Sequence, residues 1–211
     1  SSPQAADSDE TEPSTPQAGE SNALAAAPLA ADPPGFSWTF AGIDDDTCKI
    51  TGYTGGTITS GTVHVPATNP ATNKTVVAIE GGFTKYQNLK CGIDFSQAVN
   101  LERIETQAFA GSGLTGALDF SKCAKLTAIG SYAFKDASGV TGVVLPPNLR
   151  SIGNYAFMGD GGIGGSLSLP KTLGDLGLQA FDGCKLTSLA IPSETALSSI
   201  PSRAFADNRI A

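Results

Sequence analysis

A single histidine, a single methionine and a single tryptophan stand among 211 residues, which narrows the chemistry open to the chain. His64 falls on the exposed phase of the alternating stretch Val63-His64-Val65, and no cysteine, serine or carboxylate lies at a spacing that would join it in a catalytic constellation. No catalytic residue is expected, and the chain reads as something other than an enzyme. No run of about 18 apolar residues occurs, so no transmembrane segment is expected. Basic clusters are missing too: residues 1–35 hold no Lys or Arg, and the rest balances 14 acids against 13 bases. Without concentrated positive charge, neither nucleic acid nor an anionic membrane is an expected partner. Gly161-Gly162-Ile163-Gly164-Gly165 lacks the Lys-Ser/Thr ending of a phosphate loop, and Asp44-Asp45-Asp46 lacks the Gly and bidentate Glu of a calcium loop. Neither a cofactor nor a metal is expected.

The four cysteines, Cys48, Cys91, Cys123 and Cys184, form no C-x-x-C pair, so zinc and redox patterns are absent. Small buried fillers are the favoured reading, since free cysteine is among the most buried residue types. The alternative is a Cys48–Cys91 bridge in an oxidising compartment, one of three possible connectivities.

What is present begins with charge. Asp7, Asp9, Glu10, Glu12, Glu20 and Asp32 lie in residues 1–35, a tract rich in Ser, Pro and Ala with little to bury before Phe36. Such a composition cannot recover the entropy lost on ordering, so residues 1–35 are expected to be a disordered acidic tether. The chain starts at Ser1 without a Met, as a mature or trimmed product of an exported protein would. Phe36, Trp38 and Phe40 then alternate with polar residues, and turn signals at Asp44-Asp45-Asp46 and Gly55-Gly56 divide residues 36–66 into a small β-meander.

An Ala-Phe pair recurs at Phe109, Phe134, Phe157, Phe181 and Phe205, at spacings of 25, 23, 24 and 24. Five residues before each Phe stands Ile104, Ile129, Ile152, Leu176 or Ile200, and eight before stands Leu101, Leu126, Leu149, Leu173 or Leu197. Upstream lies a short strand pattern: Ile93/Phe95, Leu118/Phe120, Val143/Leu145, Leu167/Leu169 and Leu189/Ile191. A unit of about 24 residues cannot close a core alone, but stacked units place equivalent side chains in columns about 4.8 Å apart.

Leu149-x-x-Ile152-Gly153-x-x-Ala156-Phe157 after Leu145-Pro146, with Leu186-x-x-Leu189-x-Ile191-Pro192 behind Gly183-Cys184, resembles the bacterial BspA-type leucine-rich repeat. The resemblance covers roughly residues 75–211, and the stretch from Ile50 to Pro66 is similar to the N-terminal cap that often precedes such repeats. It implies a β-rich leucine-rich-repeat solenoid. Each repeat would hold a short parallel strand and a returning turn or short helical segment, with the cap at 36–66 and repeats from about 67 to 211. The last Phe lies six residues before Ala211, so a C-terminal cap is expected only in a longer protein. The function implied is a non-catalytic binding or adhesion module of a secreted or cell-surface bacterial protein, with an extracellular protein or glycan as partner. A structural spacer projecting another domain is the alternative.

Two exposed columns are candidate sites. Two residues before each Phe stand Gln107, Tyr132, Tyr155, Gln179 and Arg203, and Tyr and Arg are frequent interface anchors, so Tyr132, Tyr155 and Arg203 form a candidate binding stripe. Packing of the rings over the repeat junction is the competing role. Between the strand core residues stand Asp94 and Asp119, expected on adjacent rungs within about 5 Å, either as a polar-ligand spot or as solvated acids eased by Lys90 and Lys122. Composition alone generates one test: amides of residues 5–30 should exchange with solvent far faster than those around Phe157, and equal protection would end the tether expectation.

Overall fold

The computed structural model describes residues 31–81, 83 and 89–211. The expected tether lies outside these residues up to Ala30, whereas its last five, Ala31–Gly35, belong to the same compact unit as the repeats. Strand β1 (Ser37–Gly42) pairs antiparallel with β2 (Thr47–Thr54). Their turn is held by Asp44, whose Oδ1 accepts the N–H groups of Asp46 (2.9 Å) and Thr47 (2.7 Å), so the Asp triplet serves as turn chemistry. The cap is this hairpin together with β3 (Thr62–His64), which leaves the hairpin sheet and pairs in parallel with β5 (Gly92–Asp94).

From there the chain winds as a solenoid with two strand faces. One is a seven-stranded sheet in which β1 and β2 are continued in parallel by β4 (Thr75–Ile79), β6 (Arg103–Ile104), β8 (Ala128–Ile129), β10 (Ser151–Ile152) and β12 (Asp175–Leu176). On the other face β7 (Thr115–Asp119) pairs with β9 (Gly139–Val144), and β11 (Gly164–Ser168) with β13 (Lys185–Ala190), both in parallel. Among the described residues the returning segment contains turns and no helix.

Register makes the columns. Ile50, Ile79, Ile104, Ile129, Ile152 and Leu176 are successive Cα partners and all are buried. The Phe rings stack in the same way, with centroids 5.1 Å apart at Phe109/Phe134, 5.2 Å at Phe134/Phe157 and 4.9 Å at Phe157/Phe181. Phe83 of the irregular first unit joins at 4.7 Å from Phe109, and Tyr53 and Phe36 of the cap continue the series at 6.0 and 5.2 Å. In the last coil Leu197 and Phe205 are only half-buried and Ile200 is exposed, because a column member is sealed by the coil that follows it.

The coils approach so closely that side chains are excluded at one step. A Cβ on Gly153 would lie 2.4 Å from the Ser131 nitrogen, and one on Gly177 2.3 Å from the Gly153 carbonyl carbon. The residue after the column Ile or Leu is therefore glycine where the preceding backbone is nearest.

All four cysteines are buried and unbridged. The alternative of a Cys48–Cys91 bridge does not hold: Cys48 sits in β2 of the long sheet with its thiol directed to the Lys74 carbonyl at 3.5 Å, while Cys91 precedes β5 on the other face. Burial pushes the thiols of Cys123 and Cys184 up to about 12, which suits them as inert filler.

Three residues past each Phe lies a corner column, Ser112, Ala137, Asp160, Cys184 and Asn208, buried except at the half-exposed Asn208. Cys184 Sγ donates to the Phe157 carbonyl at 3.4 Å and Asn208 Nδ2 to the Phe181 carbonyl at 2.7 Å, so the position favours a donor. The Asp160 carboxyl is fully buried and finds no well-formed hydrogen bond among the described residues. Burial, with Asp136 nearby, pushes it up to about 8, against partial relief from the Ala137 N–H. A carboxyl whose folded pKa is raised leaves stability intact below about pH 4 and withdraws it as pH climbs to about 8.

Two stability measurements check these columns. Phe157→Ala should lower stability by about 3–5 kcal/mol by opening a void between two rings, whereas Lys171→Ala on the surface should leave the melting temperature nearly unchanged. Asp160→Asn should melt higher than the parent at pH 8, with the gap closing at pH 4; a gap independent of pH would remove the protonated-carboxyl account.

Candidate binding surface

Gln107, Tyr132, Tyr155, Gln179 and Arg203 all have left-handed backbone, with φ of 60°, 59°, 59°, 52° and 56°. Bulky residues rarely adopt this region, and Gln107, Tyr132, Tyr155 and Gln179 hold it with the turn tied to the next coil. The Tyr132 N–H donates to the Asn154 carbonyl and the Tyr155 N–H to the Leu178 carbonyl, each at 2.9 Å, while Phe134 and Phe157 two residues on do the same to Ala156 and Ala180. The turn thus aims one side chain per coil outward at the rung spacing. The Tyr132 and Tyr155 rings stack with centroids 4.9 Å apart and planes 21° from parallel, both half-exposed.

Arg203 does not join them. Gln179 occupies the intervening coil, and the Arg203 guanidinium is engaged locally, with Nε and Nη2 donating to Asp182 at 3.0 and 3.3 Å and Nη2 to Asp207 at 2.8 Å. Burial works against ionisation of Asp182, but hydrogen bonds from Arg203 and Gln179 outweigh it and hold the carboxyl below the usual range. The structure therefore brings together two of the three stripe residues and gives the third a structural ion pair.

Asp94 and Asp119 lie on successive coils, as expected, with the Phe95 and Phe120 rings that follow them 4.6 Å apart, while their paired strand neighbours are His64 and Val144. Both carboxylates shape the backbone. Asp94 accepts the Ser96 N–H and hydroxyl, each at 2.8 Å, and Asp119 accepts the Ser121 N–H at 2.8 Å. The repeated Asp-Phe-Ser at 94–96 and 119–121 was the sequence signal for this turn.

His64 corrects a second expectation. Its side chain is 14% exposed instead of solvated, because Asp32 folds over it. Asp32 Oδ1 accepts the His64 backbone N–H at 2.6 Å and lies 3.0 Å from Nδ1, while Asp94 Oδ2 lies 3.8 Å from Nε2. Alternation showed the strand phase but not that a residue from the acidic tract would cover that face. Elsewhere, a shallow groove of about 470 Å³ crosses β6, β8, β10 and β12 along the Gly130, Gly153 and Gly177 steps.

Six copies of the BspA type leucine-rich repeat match the chain, over residues 71–164 and 127–211. The chain belongs to the BspA-type leucine-rich repeat family. Its fold is shared with the T. pallidum leucine-rich repeat protein, at 20% identity and a TM-score of 0.52, over 77% of this chain and 82% of that one. The pneumococcal vaccine antigen PcpA is similar at 18% identity and a TM-score of 0.49, over 78% of this chain and half of that protein. A leucine-rich repeat protein from Bacteroides capillosus is similar at 18% identity and a TM-score of 0.47, over 74% and 94%. No curated protein matches the chain in sequence.

Proposed function

We propose that this BspA-type solenoid is a non-catalytic binding module displayed or secreted by a bacterium, which engages an extracellular protein or glycan through the turn face centred on Tyr132 and Tyr155. The observation that carries the reading is the stacked, half-exposed tyrosine pair on adjacent coils. The rings are held in a turn whose backbone is bonded to the next coil, so little conformational freedom remains to be lost on binding. Rigid tyrosines are among the commonest interface anchors, and burying one contributes about 2 kcal/mol or more, against under about 1 kcal/mol for an exposed acid such as Asp119. The acidic, proline-punctuated residues before Ala31 have the composition of a spacer that holds such a module away from a surface.

Screening the full chain against extracellular proteins and glycans identifies the partner. Tyr132→Asn with Tyr155→Asn then tests the face, since Asn tolerates the left-handed turn and removes the rings. Binding should weaken at least about tenfold with the melting temperature nearly unchanged. Normal binding by this variant together with loss in Asp119→Ala would move the recognition face to the strand column, and unfolding of the variant would make the tyrosines packing residues.

A further inference from the structure

The cap encloses a cleft that the repeats do not use. It has a volume of about 220 Å³, and the rings of Phe36, Trp38 and Phe40 line it. Those rings are braced: Trp38 meets Phe36 edge-on at 4.9 Å, Tyr53 stacks on Phe36 at 5.2 Å, and the Trp38 Nε1–H donates to the His64 carbonyl at 2.7 Å. Asp32, Ser37, His64 and Thr68 supply polar groups to the same lining. Asp32 Oδ1 is occupied by His64, but Oδ2 and the hydroxyls of Ser37 and Thr68 have no hydrogen-bond partner among the described residues. Among the described residues no Lys or Arg lines the cleft.

These features define a ligand. The lack of a basic group beside a carboxylate disfavours anions. Two free hydroxyls beside a carboxylate ask for groups that both donate and accept, whereas an ammonium offers donors only. Aromatic rings ask for an apolar face on the same small molecule. A pyranose ring has both, with C–H groups on its flat face and hydroxyls on its rim. At about 220 Å³ the cleft is smaller than the roughly 300–1,000 Å³ of a pocket for a drug-sized ligand, which suits one such ring with the rest of a glycan in solvent.

We propose that the cap cleft between Asp32, Phe40 and Thr68 binds one ring of a neutral glycan. The site lies in the cap and stands or falls independently of the Tyr132/Tyr155 face. Trp38 is the only tryptophan of the chain and lines the cleft, so its fluorescence reports on this site alone. The full chain is titrated with the methyl glycosides of glucose, galactose, mannose and N-acetylglucosamine. At least one should change Trp38 emission saturably. Asp32→Ala and, separately, Thr68→Val, which keeps the side-chain shape and the melting temperature, should each weaken that response about tenfold. Tyr132→Asn with Tyr155→Asn should leave it unaltered. The proposal is overturned if no glycoside gives a saturable response, if Thr68→Val and Asp32→Ala both respond like the parent, or if butylammonium chloride saturates the same signal and displaces the glycosides, which would make the cleft a cation site.

Discussion

The stacking of each coil on the next at the spacing of one β-rung is the constraint from which the rest of this molecule follows. A ring lying flat needs a neighbour at about that distance on each side, and the Phe column supplies one at 4.7 to 5.6 Å from Phe83 to Phe205. The same closeness excludes a Cβ at Gly153 and Gly177 and lets the turn amides reach the following coil. Backbone strain at Gln107, Tyr132, Tyr155 and Gln179 is sustained by those bonds, so the position accepts both Gln and Tyr.

Legibility followed periodicity. Leu149, Ile152 and Phe157 and their equivalents could be assigned to a core from spacing alone, because an interior position repeated by stacking admits few residue types. The cap was harder. Tyr53 and Phe36 extend the aromatic column without the spacing of about 24 residues, since a hairpin and not a full coil carries them. The pairing of β3 with β5 was hidden for the same reason: nothing in Val63-His64-Val65 says which strand lies beside it.

Side-chain partners were the least legible layer. The column position of Arg203 was readable, but not that Asp182 and Asp207 sit within its reach, because those acids occupy corner positions whose direction depends on the turn. Asp32 shows the same limit: composition placed it in a solvated tract, while the backbone N–H and ring Nδ1 of His64, both facing the cap, draw it in. Asp160 runs the other way, a buried acid at a corner where neighbours donate to carbonyls, which no reading of charge along the chain would single out.

The bonds between coils run along the axis of the solenoid: turn amides donate to a carbonyl one coil on, as Tyr132 to Asn154, and sheet amides to a carbonyl one coil back, as Gly153 to Ile129. A pull applied along that axis loads the rungs in series at an end and opens them a coil at a time, not all together in shear. A released coil of about 24 residues can extend to about 80 Å, against the single rung of about 4.8 Å that it occupied when stacked. Under flow or traction the solenoid would thus lengthen in steps, dissipating load while the coils still stacked keep their surface in place.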